Sequence, residues 1–405
     1  MTKLVKGLKS VTLLNVFLEL EGTPKRKVGR LAKKDRELLQ SGLEISPFCL
    51  ALAPGVKVGD SGIFQGLLGV FEDSLPDGWG RLLLDRRIAQ AGLAPANFGP
   101  LDRLAFVGSH GMGALVYEPE TEQEEPTVVD LDQIASAIQS VLDHTDLPEL
   151  DRLLALGGSP QGARPKALVQ LSADGKTILY GSKSIQNGFT AYLVKFRSKG
   201  DDEHIGTLEH IYARMAALAG IDVPETRLLR KSRKNPGYFA IRRFDREGSN
   251  KLHMHTLSGR LHAPHTYPAL SYHELLLATH KLTRDETCVK EMFRRACFNV
   301  FAKNRDDHSR NFSFLMNAKG IWRPSPAYDL TYSSGPGGEH RMLLAGEGRN
   351  PTTQHLKSLA REVGLKHTAP IIEEVRAAVA RFIKIADEAG LPKKLRDTVA
   401  GDLKV

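Results

Sequence analysis

Apolar positions alternate with polar ones early in the chain and recur every third or fourth residue further on. Val11 to Leu20 reads as a strand, and Lys25 to Leu31 carries a turn and a second strand. Ile45 to Leu52 and Phe64 to Val70 add short apolar segments, so the chain is expected to open with a small β-rich unit. From Asp73 to Leu93 the spacing is helical, with Trp79, Leu82, Leu83 and Ile88 directed at a core. DSLPDGWG brings turn and cap formers to the start of that helix, with Pro76 near its entrance, and predicts a helix start packed on the sheet. The glycines of FVGSHGMGALVY, within Ala105 to Pro119, fit tight turns leading into a strand. No Walker lysine–serine pair follows them.

The acidic stretch Glu118 to Asp130, with Pro119 and Pro126, is the first domain boundary. A helix over Leu131 to Leu142 starts the second domain. Strands follow at Ala167 to Leu171, Gly188 to Phe196, Glu225 to Leu229 and Tyr238 to Phe244, with a helix over Thr207 to Gly220 between them. Helical patterns then dominate, at His273 to Thr279, Asp285 to Lys303, Thr353 to Val363 and His367 to Ala389, with a short helix in Pro392 to Val405. The order divides the chain into a β-rich unit at 1–125, a nucleotide-binding β lobe at 126–250 and a helical lobe at 251–405. The fold class is α+β.

A chain of 405 residues is long enough for two or three domains. Lys plus Arg number 56 against 47 Asp plus Glu, a net charge of +9 that suits an anionic ligand or a nucleic-acid-associated assembly. The basic residues are spread out, so no discrete nucleic-acid arm is visible. Cys49, Cys288 and Cys297 form neither a CxxC pair nor a disulfide framework, which fits a reducing compartment. The basic start MTKLVKGLKS carries no signal-peptide cleavage pattern, and no stretch is apolar and long enough to span a bilayer. No membrane partner is expected, and the localisation expected is cytoplasmic.

Candidate chemistry gathers in three places. In KNRDDHSRNFSFLMNAKGIWRPSPAYD, a polar cluster (Asn304, Asp306, Asp307, His308, Asn311) closes a helix. Next come an apolar run over Phe312 to Met316, a turn over Asn317 to Gly320, and a second loop ending at Asp329. Such a loop–hairpin–loop can set an acid and an amide against another acid. That pattern suits phosphoryl transfer: one carboxylate receives a hydroxyl proton, while an asparagine and a second carboxylate hold Mg²⁺. Turn-forming residues ahead of a hairpin give the same pattern without chemistry. LGGSPQGARPKALVQ, from Leu156 to Gln170, is either a connector or a small-residue loop whose amides approach phosphate. Lys166 adds a charge there, and Ser159 stands in an accessible-looking loop as a phosphoacceptor. Lys195, inside the apolar run GFTAYLVKF, either reaches a nucleotide phosphate or snorkels to solvent. Glu209, on the first turn of the next helix, can pair with it. Asp245, just after YFAIRRF, either bonds a nucleotide or caps its turn. The histidines of His253 to His265 lack a cysteine or carboxylate frame for metal, so that turn-prone loop is expected to make substrate or packing contacts.

Taken together, EDSLPDGWGR (Glu72 to Arg81), SPQGARPK (Ser159 to Lys166), LVKF ending at Phe196, RRFDR around Asp245, NRDDHSRNFSF from Asn304 and SPAYDL around Asp329 resemble the HipA-like serine/threonine kinases, toxins of bacterial type II toxin–antitoxin modules. The resemblance covers nearly the whole chain. It implies a bilobal kinase-like fold, ATP and Mg²⁺ as cofactors, Asp306 as catalytic aspartate, and Asn311 and Asp329 as metal ligands. Lys195 would contact ATP phosphates with Glu209 as helix partner, and Asp245 would touch the nucleotide. Gly162, Ala163, Arg164 and Lys166 would form the phosphate-binding loop, with Ser159 its autophosphorylated serine. Asp306, five positions before Asn311, is placed as the base, Asp307 shapes the loop, and His308 supports it. The partners implied are a translation-associated acceptor such as an aminoacyl-tRNA synthetase, a cognate helix-turn-helix antitoxin, and DNA through that antitoxin. No helix-turn-helix is visible within this chain. A non-catalytic, kinase-like module of a repressor complex is the alternative reading.

Overall fold

The computed structural model describes residues 11–405 apart from 33–36, 39–43, 49–54, 58, 61, 120–126, 144–149, 151–152, 155–161, 181–183, 231–234 and 249. The chain opens with an antiparallel sheet of five strands: β1 (Leu13–Leu18), β2 (Arg26–Ala32), β3 (Glu37–Leu38), β4 (Gly55–Val56) and β5 (Leu115–Glu118), in the order β4-β3-β2-β1-β5. Leu14, Val16 and Leu18 of β1 turn to the core, the period of two that the sequence shows. Phe64 to Val70 does not extend this sheet. It forms a 3₁₀ turn at Phe64–Gly66 and a short helix at Gly69–Glu72. Leu67, Val70 and Phe71 are all buried, and their spacing of three and four marks a helical face.

The second sheet has six strands: β6 (Thr127–Val128), β7 (Lys166–Ser172), β8 (Ile178–Tyr180), β9 (Phe189–Lys195), β10 (Thr226–Leu229) and β11 (Tyr238–Arg242), ordered β10-β11-β9-β7-β8-β6. Every pairing in it is antiparallel. The helix Gly78–Gln90 belongs to this sheet's core, not to that of the first sheet as expected. Its Trp79, Leu83, Leu84 and Ile88 pack with Val169, Leu171, Tyr192 and Val194, and with Leu131 and Ile134 of the helix Leu131–Leu142. Apolar spacing identifies the buried face of a helix and is silent about which core receives it.

A two-stranded ribbon, β12 (Arg246–Glu247) with β13 (Asn250–Lys251), leads to a three-stranded sheet of β14 (His253–Thr256), β15 (Ser313–Met316) and β16 (Trp322–Pro324). The stretch expected to be a histidine-bearing loop is thus a strand followed by the helix Leu257–Arg260. His253 and His255, two apart, point the same way and are fully buried. His253 Nε2 meets the Ile45 carbonyl at 2.8 Å, and His255 spans Asp73 (2.5 Å) and Ser46 (2.8 Å). These are packing contacts that dock the first unit on the rest of the chain.

The remainder is helical: Tyr272–Thr283, Glu286–Phe301, Thr353–Glu362, Ala369–Val379, Phe382–Ala389 and Lys393–Asp402. These helices share one continuous core with the helix Ile205–Leu218 and with the amino-terminal sheet. The architecture is mixed α+β with a β-rich beginning and a helix-rich end, bilobal and kinase-like. Cys288 and Cys297 are free thiols; Cys49 lies outside the described residues. No helix among the described residues is long and apolar enough to cross a membrane.

Candidate active site

The register of the central strands sets the charge of the site. Lys166 on β7 stands directly opposite Lys195 on β9, and Lys195 stands opposite Phe239 on β11. Paired residues share a face, and like charges facing each other across a ladder cost stability unless acids compensate them. Here they do. Lys195 Nζ lies 2.7 Å from Glu209 Oε2, hydrogen-bonds Asp329 as well, and sits 5.6 Å over the Phe239 ring. Glu209, only 3% exposed, comes from the first turns of the helix Ile205–Leu218 and also takes Arg164 Nη1 at 3.1 Å. Burial pulls the Lys195 ammonium downward, but Asp329 and Glu209 outweigh that pull and hold it above its ordinary value. Burial, with Lys195 close by, depresses Lys166 despite nearby Asp329, Asp77 and Glu209. For Asp329 burial pushes upward, and Lys195 and Lys166 reverse it, leaving the carboxyl well below the usual range. Asp329 has a φ of 53°, the left-handed region that asparagine and aspartate visit more readily than other side chains.

A cavity of about 670 Å³ opens over this cluster. Its lining includes Gly162, Ala163, Arg164, Lys166, Lys195 and Glu209 from the six-stranded sheet and its flanking segments, and Asp306, His308, Asn311 and Asp329 from the later loops. The helix Glu286–Phe301 ends just before Asp306, His308 and Asn311, β15 begins just after them, and Asp329 follows β16. Asn311 Nδ2 donates to the backbone carbonyl of Asp306 at 2.7 Å. That bond closes the loop and accounts for the five-residue spacing.

The adjacent acids occupy opposite environments. Asp306 is exposed at the cavity. Asp307 is buried, accepting from the Tyr272 hydroxyl (2.6 Å), His340 Nδ1 (2.7 Å) and the Arg341 amide (2.7 Å). Asn299 extends that network, donating to the Tyr272 hydroxyl at 3.0 Å and accepting from Asn304 at 2.9 Å. Asp307 therefore shapes the loop. His308 lines the cavity beside His265, ring centres 5.5 Å apart, and burial lowers its pKa against the pull of Asp306 and Asp329.

Asp245 is not at the cavity. It is fully buried and receives Arg243 Nη2 at 2.8 Å, Arg246 Nη1 at 2.6 Å and the Gly113 amide at 2.7 Å. Arg243 and Arg246 donate onward to the Gly111 carbonyl, so Asp245 ties the glycine turn of the first unit to the end of β11. The residues just before it, Ile241 to Phe244, do line the cavity. An acid beside two arginines satisfies a ligand reading and a structural one equally until its exposure is known. Ser159 lies outside the described residues.

Sequence reasoning passed over Asp77, Arg310, Tyr328 and Arg341, all of which line the cavity. Tyr328 stacks on Phe244 with ring centres 5.4 Å apart and donates its hydroxyl to the Arg310 carbonyl at 2.6 Å, bracing the loop. A signal for Arg310 was present: a basic side chain beside the candidate metal ligand. For Asp77 the aspartate–glycine pair looked like any helix entrance.

Asn311 and Asp329 offer an amide and a carboxylate oxygen, the hard donors that Mg²⁺ prefers. Among the described residues no group of three or more His, Cys, Asp or Glu gathers as a self-sufficient metal cage. Such a sparse donor set fits a cation that completes its shell with phosphate oxygens and water.

Family models match the chain twice, the HipA N-terminal domain over residues 24–118 and the HipA-like C-terminal domain over residues 158–383. The chain belongs to the HipA-like family. A serine/threonine-protein kinase toxin HipA of Shewanella oneidensis is 23% identical over 306 residues, which cover 69% of this chain and 66% of that relative, just under two thirds of its length. A chain from the solved complex of HipA, HipB and operator DNA of the same organism superposes with a TM-score of 0.68 at 19% identity, over 96% of this chain and 94% of that one. At that identity the likeness is one of HipA-like fold.

Proposed function

We propose that this HipA-like protein transfers the γ-phosphoryl group of ATP to a serine or threonine of a protein. The observation that carries the proposal is Lys195, held between Glu209 and Asp329 in a cavity whose lining also presents an exposed carboxylate, Asp306. Transfer of this kind needs positioning and charge stabilisation, with little covalent chemistry from the protein. Lys166, Lys195 and the Ala163 amide attract and orient phosphates. Asp306 orients the acceptor hydroxyl and takes its proton. Asn311 and Asp329 hold Mg²⁺, which offsets charge on the phosphoryl oxygens.

The family supports a place in a toxin–antitoxin module, with a helix-turn-helix antitoxin as partner and DNA reached through it. The Shewanella oneidensis chain of similar fold was solved with HipB and operator DNA. The acceptor we propose is translation-associated, an aminoacyl-tRNA synthetase or another factor, with Ser159 as the site of autophosphorylation.

The test is ATP-dependent phosphorylation followed by mass spectrometry, comparing wild type with Asp306→Ala and Asp329→Ala. Metal-dependent transfer is expected in wild type and loss in both variants. Undiminished transfer by folded Asp329→Ala rejects its metal role. Neither binding nor transfer in wild type favours a non-catalytic interaction module. A phosphate found elsewhere, with Ser159 unmodified, rejects that assignment.

A further inference from the structure

The segment Glu72 to Trp79 was expected to do no more than start a helix, yet it reaches both halves of the cavity. Asp77 stands immediately before the helix Gly78–Gln90, where an aspartate ordinarily accepts from its own helix's amides. It makes no such bond. One carboxylate oxygen accepts the Gly162 amide, and the other accepts Arg310 Nη1 at 2.6 Å. The Trp79 amide donates back to the Gly162 carbonyl at 3.3 Å, so the Gly162 residue is held through both its N–H and its C=O. Gly78 has a φ of +40°, and a Cβ there would come within 2.6 Å of Ala163 Cα. The backbones of the two segments are therefore in contact. On its other side a Cβ on Gly162 would run into Lys166 Nζ, so this glycine is wedged between Asp77 and the lysine pair.

Arg310 occupies the short 3₁₀ turn that also contains Asn311, four residues after Asp306. It is buried, and its second contact, Glu72 Oε1 at 3.0 Å, comes from the same amino-terminal segment. The helix behind Asp77 is anchored in the core of the six-stranded sheet by Trp79, Leu83, Leu84 and Ile88. The carboxylate is thus fixed at its root and spans two loops that both line the cavity. A helix entrance with only a local role would spend its carboxylate on its own first turn, as Asp130 does with the amides of Asp132 and Gln133.

We propose that Asp77 is a positioning residue for phosphoryl transfer, tying the phosphate-loop glycine Gly162 to Arg310 of the catalytic loop so that the entrance of the helix Gly78–Gln90 sets the alignment of donor and acceptor. The proposal rests on the kinase reading given above. Ordering one residue's backbone costs conformational entropy. A loop ordered in advance spares the nucleotide that cost, and a misplaced reacting group lowers the rate steeply.

Asp77→Ala and Asp77→Asn in the full-length chain test it, with Asp130→Ala as a helix-entrance control. Three quantities are read: amide exchange at Gly162 without nucleotide, Kd for ATP, and kcat and KM for transfer. Asp77→Ala is expected to speed Gly162 exchange roughly tenfold or more, weaken ATP binding about tenfold and lower kcat. Asp77→Asn keeps an acceptor for Gly162 and loses the charge facing Arg310. It is expected to bind ATP within about threefold of wild type and still lose kcat. Asp130→Ala should change none of the three. Unchanged Gly162 exchange in folded Asp77→Ala overturns the tether. Tighter ATP binding by that variant also overturns the proposal, because the carboxylate would then be competing with phosphate. If Asp77→Ala does not fold, Asp77→Asn decides, and wild-type kcat in it rejects the role. A wild type that neither binds nor transfers phosphate defeats the kinase reading and the positioning role with it. Gly162 exchange reports on the tether apart from that outcome.

Discussion

Asp245 and Asp329 are each flanked by two cations, and each carboxyl is held well below its usual range against the upward push of burial. They differ in what is left over. Asp245 is sealed, with Arg243, Arg246 and the Gly113 amide filling its surroundings. Asp329 is a third exposed and faces a cavity with Lys195 on one side only. A depressed carboxyl therefore does not by itself mark a working group. What separates a joint from a site is whether some bonding capacity remains pointed at open space.

The sharpest way to break this distinction is the pair of acids that sit side by side in sequence. Asp306→Asn is expected to cut phosphoryl transfer about 10²–10⁴-fold while leaving unfolding free energy within about 0.5 kcal/mol of wild type. Equal losses of stability and rate would erase the contrast. Asp245→Asn, on the sealed side, should cost about 3–5 kcal/mol in urea unfolding, because two largely but not fully buried arginines lose their shared counter-charge. ATP affinity of its folded fraction should not move, and a large rise in Kd would return Asp245 to the nucleotide site. Asp307→Asn is expected to cost about 2–3 kcal/mol by loosening Tyr272, His340 and the Arg341 amide. Its rate loss should shrink under stabilising conditions, which that of Asp306→Asn should not.

The smallest effect concerns Glu72. Burial, reinforced by Asp73 and Asp77 and opposed by Arg310, lifts its carboxyl from 4.5 to about 7, and its Oε2 has no partner among the described residues. The folded protein thus holds this proton more tightly than the unfolded chain. Its contribution to stability is fully present below pH 4.5 and declines as the pH rises toward 7. Glu72→Gln, which imitates the protonated form, should gain roughly 1–3 kcal/mol over wild type at pH 8 and nothing at pH 4. Parallel unfolding curves at the two pH values would show that Glu72 ionises freely.

Much of this was readable from residue order, for a physical reason. The helix Leu131–Leu142 and the hairpin after Asn311 follow from periodicity and a turn over Asn317 to Gly320, both local properties. The candidate site residues Lys195, Glu209, Asp306, Asn311 and Asp329 lie outside those two elements and came with their motifs. Partner choice across the chain was not readable. Asp245 and Asp77 carry the same chemistry, yet Asp245 reaches the Gly113 amide 132 positions away inside the protein and Asp77 reaches cavity-lining residues 85 and 233 positions away. The segment from His253 looked like a loop because two polar histidines masked a strand whose inner face they form. Buried histidines imitate a polar pattern, and only their acceptors, Asp73 and the Ile45 carbonyl, reveal otherwise.

The pairing of Lys166 with Lys195 also limits how such a chain can change length. Because neighbours along a strand face opposite ways, inserting or deleting one residue within Lys166–Ser172 or Phe189–Lys195 would send one ammonium to the far side of the sheet and dissolve the pair. Additions to the turns on either side of β8, at residues 173–177 and 184–188, leave that opposition intact so long as the strands keep their alignment. Length variants should therefore be tolerated in those turns and rejected inside the strands, which a library of single-residue insertions scored for ATP binding would map directly.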